Sequence, residues 1–106
     1  MYTPTHFAVD EDEARQFVAE IVTGDLVTMT DDGIVATFLP LLHDATGTPF
    51  GSLVGHVART NDQWRLPPHG QAMVIARGPD AYVSPSWYAS KAEHGRVVPT
   101  WNYATA

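Results

Sequence analysis

The chain has no cysteine and a single lysine, Lys91, among its 106 residues. Without cysteine there is no disulfide framework, zinc ribbon, iron-sulfur cluster or thiol nucleophile, and the composition suits a cytoplasmic setting. No run of about 18 apolar residues occurs, and no basic region precedes an apolar stretch near the start, so neither a membrane span nor a secretory leader is expected. Cations are scarce: six Lys and Arg stand against twelve Asp and Glu, for a net charge of -6. Eight of those acids fall within residues 1–33 against Arg15 alone, so the acidity belongs to one end. Affinity for DNA comes from neutralising phosphates. The five cations beyond residue 33 are scattered and form no basic stripe, which disfavours direct DNA binding.

Catalytic signatures are missing too. There is no GxSxG, GxGxxG or GxxxxGK[ST], and an SxxK search fails because Tyr88 stands three residues before Lys91. The histidines at 6, 43, 56, 69 and 94 form no HxH, HExxH or His-x3-His pair. Neither a preassembled metal site nor a catalytic residue is assigned.

With 44% hydrophobic and 17% charged residues, the composition is that of a packed globular protein. Its length fits one domain over residues 1–106, small enough that a partner subunit would add usefully to the buried surface. Asp10 followed by Glu13 has the spacing of a capping box, and Ala14, Phe17, Val18, Ile21 and Val22 recur with helical period, predicting an amphipathic helix that ends before Gly24. The DEDE run is then a solvated cap favoured by the helix dipole. Next, DLVTMTDDGIVATFLPLL predicts two antiparallel strands, with Asp32 and Gly33 supplying the positive φ angles of the turn.

SLVGHVA predicts a third strand with His56 in its middle and both faces covered. His56 is there either a ligand contact or a hydrogen-bonded, half-buried imidazole. Thr60 or Asn61 is placed to cap one helical turn containing Trp64. QAMVIAR, AYVSP and VVPTWNY predict three more strands, with Gly78-Pro79-Asp80 as a turn and Pro99 marking an edge or bulge. About six short strands and one clear helix, without parallel βαβ alternation, indicate a mainly β, antiparallel barrel or sandwich.

Five of the seven Trp and Tyr residues, and the lone lysine, lie between Tyr82 and Tyr103. In SPSWYASK, serine hydroxyls and Lys91 offer donors to an anion beside Trp and Tyr faces that suit a heterocycle. The alternative is a loop whose aromatics pin it to the barrel. GHVARTNDQW offers His56 and Arg59 just before a helical turn, where backbone N–H groups also favour anions.

Taken in order, MYTPTHF, ATFLPLL, GHVARTNDQWR, GPDAYVSPSWYASKAEHG and VVPTWNY closely resemble the PaiB-like family of FMN-binding negative transcriptional regulators. The resemblance implies a split β-barrel that forms a homodimer with FMN near the subunit interface. It places His56, Arg59 and Asn61 on the phosphate side, and adds Ser84, Ser86, Trp87, Ser90 and Lys91 from SPSWYASK and Thr100 and Trp101 from PTWNY as flavin-site residues. Two departures stand out: Phe38 replaces the histidine of the family's ATHLPL, and the family continues for about as long again beyond PTWNY. The expected function is a flavin-binding regulator that acts indirectly on transcription. Alternatives are an FMN-dependent oxidoreductase, a haem-binding barrel using His56 or His94, and a cofactor-free dimerisation module.

Overall fold

The computed structural model describes residues 3–106, so the first two residues of MYTPTHF lie outside the described part. The helix forms where its cap predicts. Asp10 is extended and accepts a hydrogen bond from the Glu13 N–H at 2.8 Å, opening α1 (Glu11–Ala19). It is shorter than the periodicity suggests, because the Val22 carbonyl accepts from the Leu41 N–H, which draws that residue into the approach to the first strand.

Strands β1 (Thr23–Thr30) and β2 (Gly33–Asp44) form the expected antiparallel hairpin. Its turn differs from the expectation at Asp32: of the two predicted positions only Gly33 has a positive φ, at 114°. The Thr30 hydroxyl substitutes for the missing left-handed residue by donating to the Gly33 carbonyl and accepting from the Asp32 N–H. β3 (Ser52–Gly55) pairs with β2 and β4 (Met73–Ile75) with β1, giving a four-stranded sheet of order β3-β2-β1-β4.

After Ala76, which exchanges backbone hydrogen bonds with Ala106, the chain leaves this sheet as β5 (Arg77–Val83) and pairs with β6 (Thr100–Thr105) in a second, two-stranded sheet. Gly78-Pro79-Asp80 is therefore not a turn. It lies within β5, where the register shifts between Arg77 and Asp80 and so accommodates the proline, which has no N–H to give the ladder. Gly78 has a second constraint, since a Cβ there would lie 2.8 Å from Phe17 Cε2 of α1. Two antiparallel sheets, parted where β4 runs into β5 and flanked by an N-terminal helix, make a mainly β chain with the layout of a split barrel.

Pairing sorts the large sheet into two faces. Leu26, Thr28 and Thr30 of β1 share the inner face with Val35, Thr37 and Leu39 of β2, and Thr28, Thr30 and Leu39 are buried. Gln63 fastens the 3-10 turn Asp62–Trp64 beneath it: its Nε2 donates to Thr28 Oγ1, the Leu26 carbonyl and the Val35 carbonyl at 3.0–3.3 Å. On the opposite face Met29, Ile34, Phe38, Leu42, Val54 and Met73 are all more than half exposed. β3 is accordingly an edge strand with Val54 open to solvent, not the doubly covered strand expected from its composition. Among the described residues the buried apolar side chains are Leu39 and Ala76.

The hairpin stretches the molecule to 58 × 32 × 22 Å. No helix among the described residues is long and apolar enough to cross a membrane.

Candidate functional site

One group of the expected site residues gathers at the far end of the β5–β6 hairpin. Tyr82 and Trp101 face each other across the ladder with ring centroids 5.7 Å apart in an edge-on arrangement, and Thr100 pairs with Val83. The chain then enters the 3-10 turn Pro85–Trp87, capped by Ser84, whose Oγ accepts from the Ser86 N–H and lies 2.8 Å from Ser86 Oγ. SPSWYASK is more ordered than a loop. Ser90 and Lys91 begin the short helix α2 (Ser90–His94), which Gly95 closes in the left-handed region at φ 66°. Lys91 Nζ reaches the Gly95 carbonyl at 3.4 Å and is exposed, and Trp87 is 72% exposed. Ser84, Ser86, Trp87, Ser90, Lys91, Thr100 and Trp101 thus share one end of one hairpin.

His56, Arg59 and Asn61 lie elsewhere. β3 stops at Gly55, so His56 follows the strand and is exposed, rather than standing mid-strand and half-buried. A Cβ at Gly55 would lie 2.4 Å from Leu39 Cδ1, so this close approach depends on glycine. Arg59 is exposed, and its carbonyl accepts from Trp64 Nε1 and from the Arg65 guanidinium. Asn61 holds the turn: its Oδ1 accepts from the Gln63 N–H and its Nδ2 donates to Thr37 Oγ1, both at 2.9 Å. The hairpin carries the first group away from the large sheet, since Val83 lies six residues beyond Arg77, about 20 Å at strand rise. On one chain the two groups belong to different sheets.

The geometry adds a residue that the sequence reading passed over. Arg77 stands where β4 becomes β5 and lines two grooves at once, one of ≈ 150 Å³ with Asp25 and Phe38 and one of ≈ 450 Å³ with Trp101 and Tyr103. In the sequence it is the last residue of the apolar run QAMVIAR. Its placement follows from register, because Asp25 pairs with Ile75 and Arg77 follows two residues later to bond Asp25. Phe38, the departure from the family motif, is the Cα partner of Asp25 on the same exposed face.

The donor set suits a planar aromatic ligand with an anionic tail. Arg59, Arg77 and Lys91 supply charge, serine hydroxyls supply donors, and Trp87, Trp101 and Tyr103 expose ring surface. FMN has both parts. Gln63 Oε1 is buried and has no hydrogen-bond partner among the described residues, an acceptor left over where the turn meets the sheet.

Comparison with known proteins identifies the family. Residues 1–106 match the family described as "Putative FMN-binding domain". The chain is 37% identical to the Bacillus subtilis (strain 168) protein named "Protease synthase and sporulation protein PAI 2", over 97% of this chain and 48% of that protein. It is 29% identical to the uncharacterized protein YKL070W of Saccharomyces cerevisiae, over 70% of this chain and 44% of the relative. A third relative, protein AN0679 of Emericella nidulans, is 33% identical over 69% of this chain and 38% of its own length. The chain spans about half, or less, of the curated relatives it matches. Its split-barrel layout, its donor set and these likenesses agree, and the chain belongs to the FMN-binding family, with FMN as the cofactor that family implies.

Proposed function

We infer that the chain is the FMN-holding part of a flavin-responsive regulatory protein and that two copies together complete the site. The observation that carries this reading is the separation of two ligand-suited groups, one at the hairpin end and one beside β3, on a chain with an uncovered apolar sheet face. Its accessible surface is 8493 Å². A compact monomer of this mass exposes about 5,800 Å², and the excess is well above the roughly 800 Å² per partner of a standard interface. The radius of gyration, 18.5 Å, likewise exceeds the approximately 13 Å of a compact chain of this length. A homodimer would cover that surface and set one copy's hairpin near the other's sheet.

In this reading Ser84, Ser86, Ser90 and Lys91 approach the flavin from the hairpin, and Thr100, Trp101 and Trp87 flank its ring. His56 and Arg59 approach from the turn after β3, with Asn61 fixing that turn. Bound FMN would supply one- and two-electron chemistry; the chain would hold the ring and its phosphate and restrict water around them. The relative's name links that protein to protease synthesis and sporulation. By this likeness the present chain serves control of gene expression in the cytoplasm, a compartment its cysteine-free composition suits. Regulation acts through a partner or a flavin signal: the net charge of -6 disfavours direct DNA binding, and among the described residues the longest helix, α1, has nine residues and an acidic first turn.

FMN titration of the purified chain and of Arg59→Ala and Lys91→Ala variants tests the assignment. Each variant is expected to weaken FMN by about tenfold, the scale of a charge-assisted hydrogen bond. If neither changes the affinity, the placing of Arg59 and Lys91 at the flavin site fails. Steady turnover of NADH or NADPH by the FMN-loaded protein would instead support an oxidoreductase.

A further inference from the structure

Arg77 is 75% exposed, yet its guanidinium is already engaged, donating through one nitrogen to Asp25 Oδ2 at 2.9 Å. Arginine has five N–H donors, and among the described residues this is the one hydrogen bond its side chain makes. The remaining donors face open grooves. On the hairpin, Thr105 pairs with Arg77, Tyr103 with Asp80 and Trp101 with Tyr82, so Arg77, Tyr103 and Trp101 follow one another along one face. A cation therefore stands at the root of an aromatic rail, in an open surface groove of ≈ 450 Å³.

We propose that Arg77 binds the phosphate of the flavin while the ring lies toward Trp101 and Tyr103, and that Asp25 is a built-in competitor for the same guanidinium. This rests on the FMN reading above. An exposed single-contact ion pair is weak, whereas a phosphate can accept two parallel N–H bonds from an arginine fork. A phosphate thus displaces Asp25 or shares Arg77 with it, and the carboxylate tunes how tightly an anion is held. Asp80, opposite Tyr103 on the same stretch, disfavours a phosphate farther along the rail and so sets the direction of the ligand.

The ratio of FMN to riboflavin affinity isolates the phosphate contact. Arg77→Ala is expected to weaken FMN about tenfold or more with riboflavin unchanged, and Arg77→Lys to recover part of the loss. Asp25→Asn is expected to tighten FMN severalfold, again with riboflavin unchanged. Equal changes for both flavins, or none for either, would overturn the inference while leaving FMN binding itself intact. Should the unaltered chain bind neither flavin, the FMN reading fails separately. Titration with inorganic phosphate, followed by the Arg77 Nε–Hε resonance, then decides: a saturable shift supports the anion site and its absence overturns it.

Discussion

Gln63 Nε2 lies 3.0 Å from Thr28 Oγ1, with both residues buried, and joins a turn to a strand 35 positions away in the chain. Gln63→Ala leaves the Thr28 hydroxyl and two carbonyls without that donor, and a buried unsatisfied polar group costs about 1–3 kcal/mol. Thermal denaturation is expected to show a loss of this size. An unchanged melting temperature would mean that the turn is held from elsewhere.

Among the described residues Asp10 makes no ion pair. It works as a cap, its carboxylate accepting from the Glu13 N–H. Asp10→Ala is expected to cost about 1 kcal/mol, while Asp10→Ser retains most of the stability. Chemical denaturation of the two variants separates capping from a general effect of removing charge in the acidic first turn.

That helix shows how far the sequence carries. Its cap and its apolar stripe were visible in residues 10–18, as were the β1–β2 hairpin and a turn capped by Thr60 or Asn61, of which the structure uses Asn61, because each depends on contacts a few residues apart. What sequence concealed was set by distant neighbours. Gly78-Pro79-Asp80 has every mark of a turn, but pairing with β6 and the contact with Phe17 hold it as an irregular strand. SLVGHVA looks covered on both faces, but the strand ends at Gly55 on the sheet edge. At the site, the SPSWYASK group was legible as a contiguous motif, whereas Arg77 became visible only through its register with Asp25.

The apolar face predicts an assembly. Leu42 is 68% exposed beside Val54 and on the same face as Phe38, so Leu42→Lys should fold normally and lose self-association. Sedimentation equilibrium is expected to give a dimer for the unaltered chain and a shift toward monomer for the variant, with unchanged circular dichroism. A dimer that survives the charge places the seam on another surface.

Asp44 accepts hydrogen bonds from the Thr46 hydroxyl at 2.7 Å and from the Thr46 N–H at 2.9 Å. The hydroxyl first, then the backbone N–H, holds its carboxyl below the ordinary aspartate value of 3.8. Because the folded form favours the ionised carboxylate, this contribution is present above the ordinary value and fades as pH falls through the lowered one. Thr46→Val removes the hydroxyl bond. Its destabilisation should therefore be visible near neutrality and shrink in strong acid, as followed by denaturant melts across that window; an equal difference at every pH would assign the loss to packing.

Uptake of FMN by the purified chain, followed as a change in flavin absorption and fluorescence during titration, bears most directly on the central claim. The account predicts saturable, stoichiometric binding by the dimer, with riboflavin held more weakly than FMN. Flavin that stays free in solution at every protein concentration would contradict it.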